Sequence, residues 1–472
     1  MRAEGPWRPM TELASHDPEI LRIAGSIRDA GGRALLVGGY ARDLLLGLES
    51  KDLDFEVYGL PIESLETVLS TWGEVIAVGK AFGVLRVKGI DADFSIPRRD
   101  SKMGRGHRGF LVELDPTLSF AEAARRRDVT INSMAIDPLT GELLDAHGGR
   151  DDLARRVLRA TDAAKFAEDS LRALRVAQFR ARFEMEPDAE LRSICSGIDL
   201  SDLPGERMFE ELRKLLLRAR RPSVGFEFLR ETGLLRFFPQ IAAMVGVPQD
   251  KEWHPEGTVW EHTMLVVDEA AAARTGDEAE DLVVMLGALL HDVGKPLTTV
   301  EMGGRIRSPL HEERGLLPAR EFLSRLHVSN QLVDQVSGLV LHHLAPTFFS
   351  RGAASPRAYR RLARKLDAVG LNARVLWRLA QADHFGRTTP DALARQFPAG
   401  DEFLRRASEL SVEVQATPDA VLGRHLVARG YKPSPWFGKA LAACRDLADE
   451  TGWTDPDQIL DRVLLGLSPP EA

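Results

Sequence analysis

"LLVGGYARDLLLGLESKDLDFEVYG" spans Leu35–Gly59, and its reading decides the fold of the first part of the chain. A short apolar run ends in Gly38 and Gly39, and a helical pattern begins at once. Glycines at a strand end let backbone N–H groups approach a phosphate, and a helix start adds favourable charge there. Asp52 and Asp54 lie two apart in what reads as the next strand, so both carboxylates face the same way. Two hard oxygen ligands on one face suit Mg²⁺, which binds through one or two carboxylates plus substrate phosphates. Alone, the acidic pair reads as an exposed strand edge. Beside Gly38, Gly39, Arg42 and Asp43 it reads as a site for a nucleoside triphosphate and its metal.

Around this stretch the pattern is mixed α and β. Residues 17–30 read as a helix ended by Gly31 and Gly32, and "EVIAVGKAFGVLRVKGIDADFSI" supplies at least two more strands in hairpin order. "RRDSKMGRGHRGF" is polar and punctuated by glycine, so a loop is expected. Beyond about residue 160 nearly every segment reads as helix bounded by Pro or Gly. With 472 residues the chain is too long for one ordinary core.

Composition narrows the classes. Net charge is −8, which argues against a wholly basic nucleic-acid binder, yet "ARRRD", "ELRKLLLRARRP" and "RAYRRLARKL" concentrate positive charge locally. Each cluster alone reads as a solvated helix face. No apolar run is long enough to span a bilayer, and "MRAEGPWRPMTEL" lacks the apolar core of a secretory signal. The only cysteines, Cys195 and Cys444, have no metal-ligand spacing. A cytoplasmic, non-membrane protein is expected.

The opening stretch resembles the first motif of the class II tRNA nucleotidyltransferase (CCA-adding enzyme) and bacterial poly(A) polymerase family. The resemblance continues in order through "RRDVTINSMAID" (Arg126–Asp137), "EDSLRALRVAQF" (Glu168–Phe179) and "GERMFEEL" (Gly205–Leu212). In the second of these, Arg127 offers a guanidinium that fits phosphate oxygens, and Asp128 offers an acceptor for a ribose hydroxyl. The resemblance supports both roles and adds Asn132 to the same corner. In the third, Glu168, Arg172 and Arg175 fall at i, i+4 and i+7, one helical face, with Asp169 adjacent. A carboxylate accepts from the exocyclic amine of cytosine or adenine, and an arginine donates to the neighbouring ring acceptor. Uracil and guanine reverse that order. Helix-stabilising ion pairs explain the spacing equally well. The resemblance implies that Asp169 and Arg172 select the base, with Glu168 orienting them. It also implies a third acidic residue near the metal pair, for which Asp93 is preferred over Asp91. Many family members carry a further arginine where this chain has Gln178, a neutral amide. That leaves open whether the chain adds CCA, part of it, or A alone. The loop "DSKMGRGHRGF" lies where the family keeps an element needed for the terminal A.

Downstream, His262, His291, Asp292, His311, His342, His343 and Asp383 are spread over helical segments. A lone buried histidine is more often structural, but this ordered set suits a divalent transition-metal site between helices. It resembles HD-domain phosphohydrolases, and "KEWHPEGTVWEH" strengthens the link to nucleotidyltransferases that carry an HD domain. The resemblance implies His262, His291, Asp292 and Asp383 as ligands, with His311 and His342 as further candidates. "RGYKPSPWFGKAL" (Arg429–Leu441) reads as an RNA-backbone clamp or, more simply, as a solvent-side turn.

The expected fold is α+β. A small α/β nucleotidyltransferase head (1–160) precedes an elongated all-α neck (161–245), an HD-type body (246–390) and a helical tail (391–472) with a possible tRNA contact. The expected activity is template-independent addition of CCA to the tRNA 3′ end from CTP and ATP, using Mg²⁺, with a possible HD phosphohydrolase activity. The alternatives are an A-adding enzyme or poly(A) polymerase, and an HD phosphohydrolase whose head only binds nucleotide. Oligomeric state is not legible.

Overall fold

The computed structural model describes residues 18–48, 53–78, 83–102 and 110–467. Packing divides the chain into two units: residues up to Glu211 with Glu227–Phe237, and Leu212–Phe226 with everything from Phe238 onward.

The first unit is built on a seven-stranded sheet of order β3-β4-β5-β2-β1-β8-β9. Its strands are β1 (Arg33–Val37), β2 (Leu53–Tyr58), β3 (Val75–Val78), β4 (Val84–Val87), β5 (Ala92–Ser95), β8 (Ala135–Ile136) and β9 (Leu143–Leu144). Helix α1 (Pro18–Asp29) ends at Gly31, whose φ of +90° favours glycine. With α3 (Ile62–Ser70), α1 covers one face of the sheet, burying Ile23, Ile27, Phe55, Leu65, Leu69 and Phe94. Helix α2 (Gly39–Leu45) follows β1 directly.

The pairing of β2 with β5 positions the site. The two are parallel, with Phe55 opposite Phe94 and Asp54 opposite Asp93. Alternate residues point to opposite faces. The phenylalanine rings stack at 5.0 Å in the core, so the two aspartates stand side by side on the other face. Hydrophobic burial thus sets the register that brings the two carboxylates together.

The glycine-rich segment differs from its expectation. Its two ends pair as strands β6 (Arg98–Lys102) and β7 (Phe110–Leu114) in an antiparallel ladder. Residues 103–109 lie outside the described residues. Next come α4 (Phe120–Ala124), α5 (Gly149–Arg155), α6 (Ala163–Phe166) and α7 (Leu171–Phe183). The expected continuous helix over Glu168–Phe179 is broken. Ser170 is the N-cap of α7, so Glu168 and Asp169 sit in the preceding turn. Asp169 accepts from the Leu171 N–H (3.1 Å), a local bond that competes with helix.

The second unit is largely helical, as expected, with a short hairpin at Val300–Met302 and Arg305–Arg307. The helices Val259–Ala272, Glu278–Leu290, Asn330–His342 and Ala373–Phe385 pack together and bury Trp260, Val266, Leu286, Leu289, Leu339 and Leu379. A smaller cluster of Leu426, Ala440, Cys444, Ile459 and Leu460 holds the C-terminal helices Pro435–Thr451 and Pro456–Leu464. Tyr431, Trp436 and Phe437 pack against it, and Arg429 pairs with Asp457 and Asp461. The aromatic stretch Arg429–Leu441 therefore builds this local core. Among the described residues no helix is long and apolar enough to cross a membrane.

Candidate active sites

In the first unit, Gly38 connects β1 to α2 at φ +73°. A Cβ there would sit 3.1 Å from the Arg127 guanidinium and 4.0 Å from Asp54 Oδ2. Gly38, Arg127 and Asp54 therefore adjoin one another. Asp54 is exposed, and Asp93 is held by Arg86 through two hydrogen bonds, one of 2.9 Å. Arg127 is mostly buried, and its Nε makes no hydrogen bond. Glu56, fully buried on the same strand face as Asp54, accepts from Arg126 and Tyr58 at 2.6 Å each. Burial would raise its carboxyl, but Arg126 and Arg127 outweigh burial and hold it below the ordinary glutamate range. Asp52 lies outside the described residues.

Gly38→Ala is expected to lower head stability by about 1–2 kcal/mol, because alanine at positive φ is strained. Its Cβ also displaces Arg127, so kcat/KM for nucleotide addition should fall about tenfold or more. Thermal unfolding and extension kinetics check this; an unchanged kcat/KM would separate the turn from the site.

Behind Gly38 runs a buried network. Arg42 donates to Asp43 (2.8 Å) and Asn132 (2.5 Å), Asn132 donates to Asp128 (3.0 Å), and Arg175 donates to Asp128 (2.6 Å). Arg42 is 5% exposed and its guanidinium lies over Phe183 at 4.4 Å. In this structure Arg42 and Asn132 thus bind protein groups and align Asp128. Burial raises the Asp128 carboxyl, but Arg175, Asn132 and the Val129 N–H together pull it down to about 2.

A depressed carboxylate contributes stability above its unfolded pKa and loses it as pH falls through its folded pKa. Asp128 should therefore contribute about 2 kcal/mol at neutral pH, lost between about pH 4 and pH 2. Unfolding free energies of wild type and Asp128→Asn should converge over that window. A difference that does not change with pH would contradict the ion-pair account.

The base-selecting candidates are not gathered at one point. Glu168 and Asp169 line a cavity of about 510 Å³ with Ser193, Asp199 and Asp202. Arg172 donates to the carbonyls of Lys165 (2.7 Å) and Arg126 (2.5 Å), which ties the turn to the Arg126–Asp128 segment. Arg175 belongs to the Asp128 network. Gln178 is 1% exposed, and its Nε2 makes no hydrogen bond.

The second unit holds a chain of buried histidines and carboxylates. His262, His291 and Asp383 offer three ligand atoms within 4.8 Å of one another, and so do Asp292, His311 and His343. Helix Glu278–Leu290 stops at His291, whose Nδ1 bonds the Ala288 carbonyl at 2.9 Å. Asp292 spans both groups. Its Oδ2 lies 3.2 Å from His291 Nε2, and its Oδ1 lies 3.3 Å from His311 Nε2. His262 Nε2 is 3.1 Å from Asp383.

His342 is not in this cluster. His343 takes the place expected for it, with Nδ1 bonded to the Val340 carbonyl (2.8 Å) and Nε2 3.3 Å from His311. The helix Asn330–His342 ends there, and consecutive residues point in different directions. His342 lines another cavity with Phe349, Arg361 and Lys365. The sequence reading also missed Glu256, which accepts from His262 at 2.8 Å, and Lys295, 2.6 Å from Asp292. Arg387, 3.2 Å from Asp383, was missed as well. Spacing signals existed: Glu256 stands six residues before His262, and Lys295 three after Asp292.

Protonation favours ligation. Burial raises Asp292, but His291 and Lys295 hold it well below the usual carboxylate range; Asp383 is held low likewise, chiefly by Arg387. Burial pushes His343 down to about 3. Ionised carboxylates and the neutral His343 are forms that bind metal. Burial would lower His262 and His311, but Asp383 with Glu256 raises the first and Asp292 the second, so metal entering there would displace protons from them. Asp292 Oδ2 is buried 2.6 Å from Lys295 Nζ and 3.2 Å from His291 Nε2, a position it would share with a bound ion. The donor set fits a divalent metal.

Comparison with known proteins places these two sites in one lineage. The chain matches the family models described as "Poly A polymerase head domain" over residues 34–159, "Probable RNA and SrmB- binding site of polymerase A" over 183–245, and "HD domain" over 259–369. The chain belongs to the class II CCA-adding enzyme and poly(A) polymerase family, in the branch that carries an HD domain. A protein named multifunctional CCA protein from Xanthomonas campestris pv. campestris (strain B100) is 34% identical over 420 residues, 87% of this chain and 96% of that one. The protein of the same name from Stenotrophomonas maltophilia (strain K279a) is 35% identical over 422 residues, 87% and 97%. In fold, the chain is similar to the Bacillus stearothermophilus CCA-adding enzyme solved with CTP. The TM-score is 0.64 at 22% identity, covering 95% of this chain and 98% of that one.

Proposed function

We infer that this chain extends the 3′ end of tRNA with C and A from CTP and ATP, without a nucleic-acid template, and that its HD domain is a metal-dependent phosphohydrolase. The observation that carries the polymerising half is the strand register that sets Asp54 beside Asp93, next to Gly38 and Arg127. Relatives sharing about a third of their residues over nearly their whole length support both halves. In this reading the head occupies residues 1–160, the neck 161–245, the HD body 246–390 and the tail 391–472, and the setting is cytoplasmic.

Asp54 and Asp93, with Asp52, would hold Mg²⁺. When bound there, Mg²⁺ neutralises charge on the triphosphate. Holding Asp93 for an ion requires Arg86 to release it. Arg127 would meet the phosphates with the guanidinium nitrogen Nη1 that lies against Gly38, and Gly38 leaves room for them. Asp128, fixed by Asn132 and Arg175, presents a carboxylate to the ribose. Asp169 and Arg172 read the base edge once Arg172 leaves its backbone carbonyls. In the HD body, His262, His291 and Asp383 would hold one divalent transition metal, and His311 and His343 a second, with Asp292 shared. Such ions supply Lewis acidity towards a phosphoryl oxygen.

Base selection is tested by offering each nucleoside triphosphate singly to tRNA lacking its CCA end. C and A should be incorporated, U and G not. Asp169→Ala should weaken discrimination against UTP about tenfold or more. Equal incorporation of all four by wild type would remove side-chain selection.

A further inference from the structure

A cavity of about 240 Å³ opens beside the HD cluster, and its lining joins two kinds of chemistry. Lys295 and Arg387, which contact the cluster carboxylates Asp292 and Asp383, form part of it. Positive groups at a metal cluster suit a phosphate. The same cavity is lined by Trp253 and Phe348, which are 41% and 57% exposed. A phosphate alone needs no aromatic surface. The Arg351 guanidinium lies 5.3 Å from the Trp253 ring centroid, an arrangement that steadies the ring and leaves a cation beside whatever stacks on it.

Gln249 adds an independent observation. It lines the cavity at 8% exposure, and its Oε1 accepts from Lys295 at 2.6 Å, which fixes the amide. Its Nε2 is buried and makes no hydrogen bond. A buried donor left unpaired is unfavourable, so this one awaits an acceptor on a ligand.

Resting on the phosphohydrolase reading, we propose that Trp253 is a stacking shelf for the nucleobase of a nucleoside phosphoester whose phosphate lies towards Lys295 and Arg387, with Gln249 Nε2 donating to the same ligand. A flat ring with acceptor atoms, joined through a sugar to a phosphate, matches aromatic surface, amide donor and cations in one cavity. The shelf makes the HD site prefer nucleotides over simple phosphoesters. The ligand is either a free mononucleotide or the terminal nucleotide of an RNA.

The test uses the full chain supplied with divalent transition ions and no other nucleotide. Phosphate release is followed from adenosine 3′-monophosphate and from ribose 3-phosphate, which lacks the base. Wild type should show a KM about tenfold or more lower for the nucleotide. Trp253→Ala should close that gap, and Trp253→Phe should keep most of it. A gap that persists in Trp253→Ala, or none in wild type, overturns the shelf.

A binding arm separates this from the hydrolase reading. Adenosine 3′-monophosphate should quench tryptophan fluorescence of the metal-free chain, and Trp253→Ala should lose that quench. No phosphate release from either compound, with the quench still dependent on Trp253, sinks the hydrolase reading and leaves the shelf standing. A quench unchanged in Trp253→Ala sinks the shelf. An oligonucleotide ending in a 3′-phosphate with a lower KM than the mononucleotide assigns the shelf to RNA ends; an equal or higher KM assigns it to free nucleotides.

Discussion

Asp54→Ala should reduce incorporation of both C and A by about 10³-fold or more, equivalent to about 4 kcal/mol of transition-state stabilisation. On the proposed reading the loss should fall on kcat, because Asp54 would stand where charge is neutralised during transfer, while Arg127 and the Gly38 turn, which adjoin it, would still bind the triphosphate. Stability should barely change: Asp54 is exposed, and the register of β2 against β5 rests on Phe55 and Phe94. Hydrolysis by the HD domain should persist. A variant that folds, keeps its kcat for nucleotide addition and loses only affinity would place Asp54 outside the reaction.

Asp292→Ala should have the opposite profile. It removes the carboxylate that reaches His291 through one oxygen and His311 through the other. Metal content measured on the purified chain should fall by both ions, and phosphoester hydrolysis should fall about 10³-fold or more. Nucleotide addition should survive. The substitution also strands Lys295, 8% exposed, beside an emptied position, and leaving a buried charge unpaired costs about 3–5 kcal/mol. His311→Ala provides the check, since it does not strand Lys295. It should lose one ion and keep the other. Loss of both ions from His311→Ala, or of neither from Asp292→Ala, would contradict a shared carboxylate.

The head was legible because each of its devices is local in sequence. Gly38 and Gly39 follow an apolar strand directly, and the Arg127–Asp128–Asn132 corner lies within six residues. What could not be read was register. Nothing in "GIDADFSI" says that Asp93, not Asp91, stands opposite Asp54 in the neighbouring strand. That follows from Phe94 stacking on Phe55 across two strands about forty residues apart. The break before α7 was missed because Glu168, Arg172 and Arg175 fit helical spacing, whereas the Asp169 carboxylate accepts from the Leu171 N–H and starts the helix afresh.

In the second unit the histidines stood out by type, but direction decided which of a pair points inward. His342 and His343 are equivalent by composition. Only the helix end, and the bond from His343 Nδ1 to the Val340 carbonyl, turn His343 to Asp292 and send His342 to another cavity. Glu256, Lys295 and Arg387 escaped notice because carboxylates and cations at such spacings ordinarily form surface pairs. Their burial in the cluster is a tertiary fact.

The central claim is that one chain adds a defined CCA end by using Asp54 with Asp93 at the metal and its own side chains as template. The most direct measurement follows the length and 3′ sequence of a tRNA lacking that end, incubated with CTP alone, ATP alone, and both. The account expects cytidines with CTP alone, the terminal adenosine only once those are in place, and a halt thereafter. Incorporation of adenosine alone, or an unbroken run of it, would contradict the account.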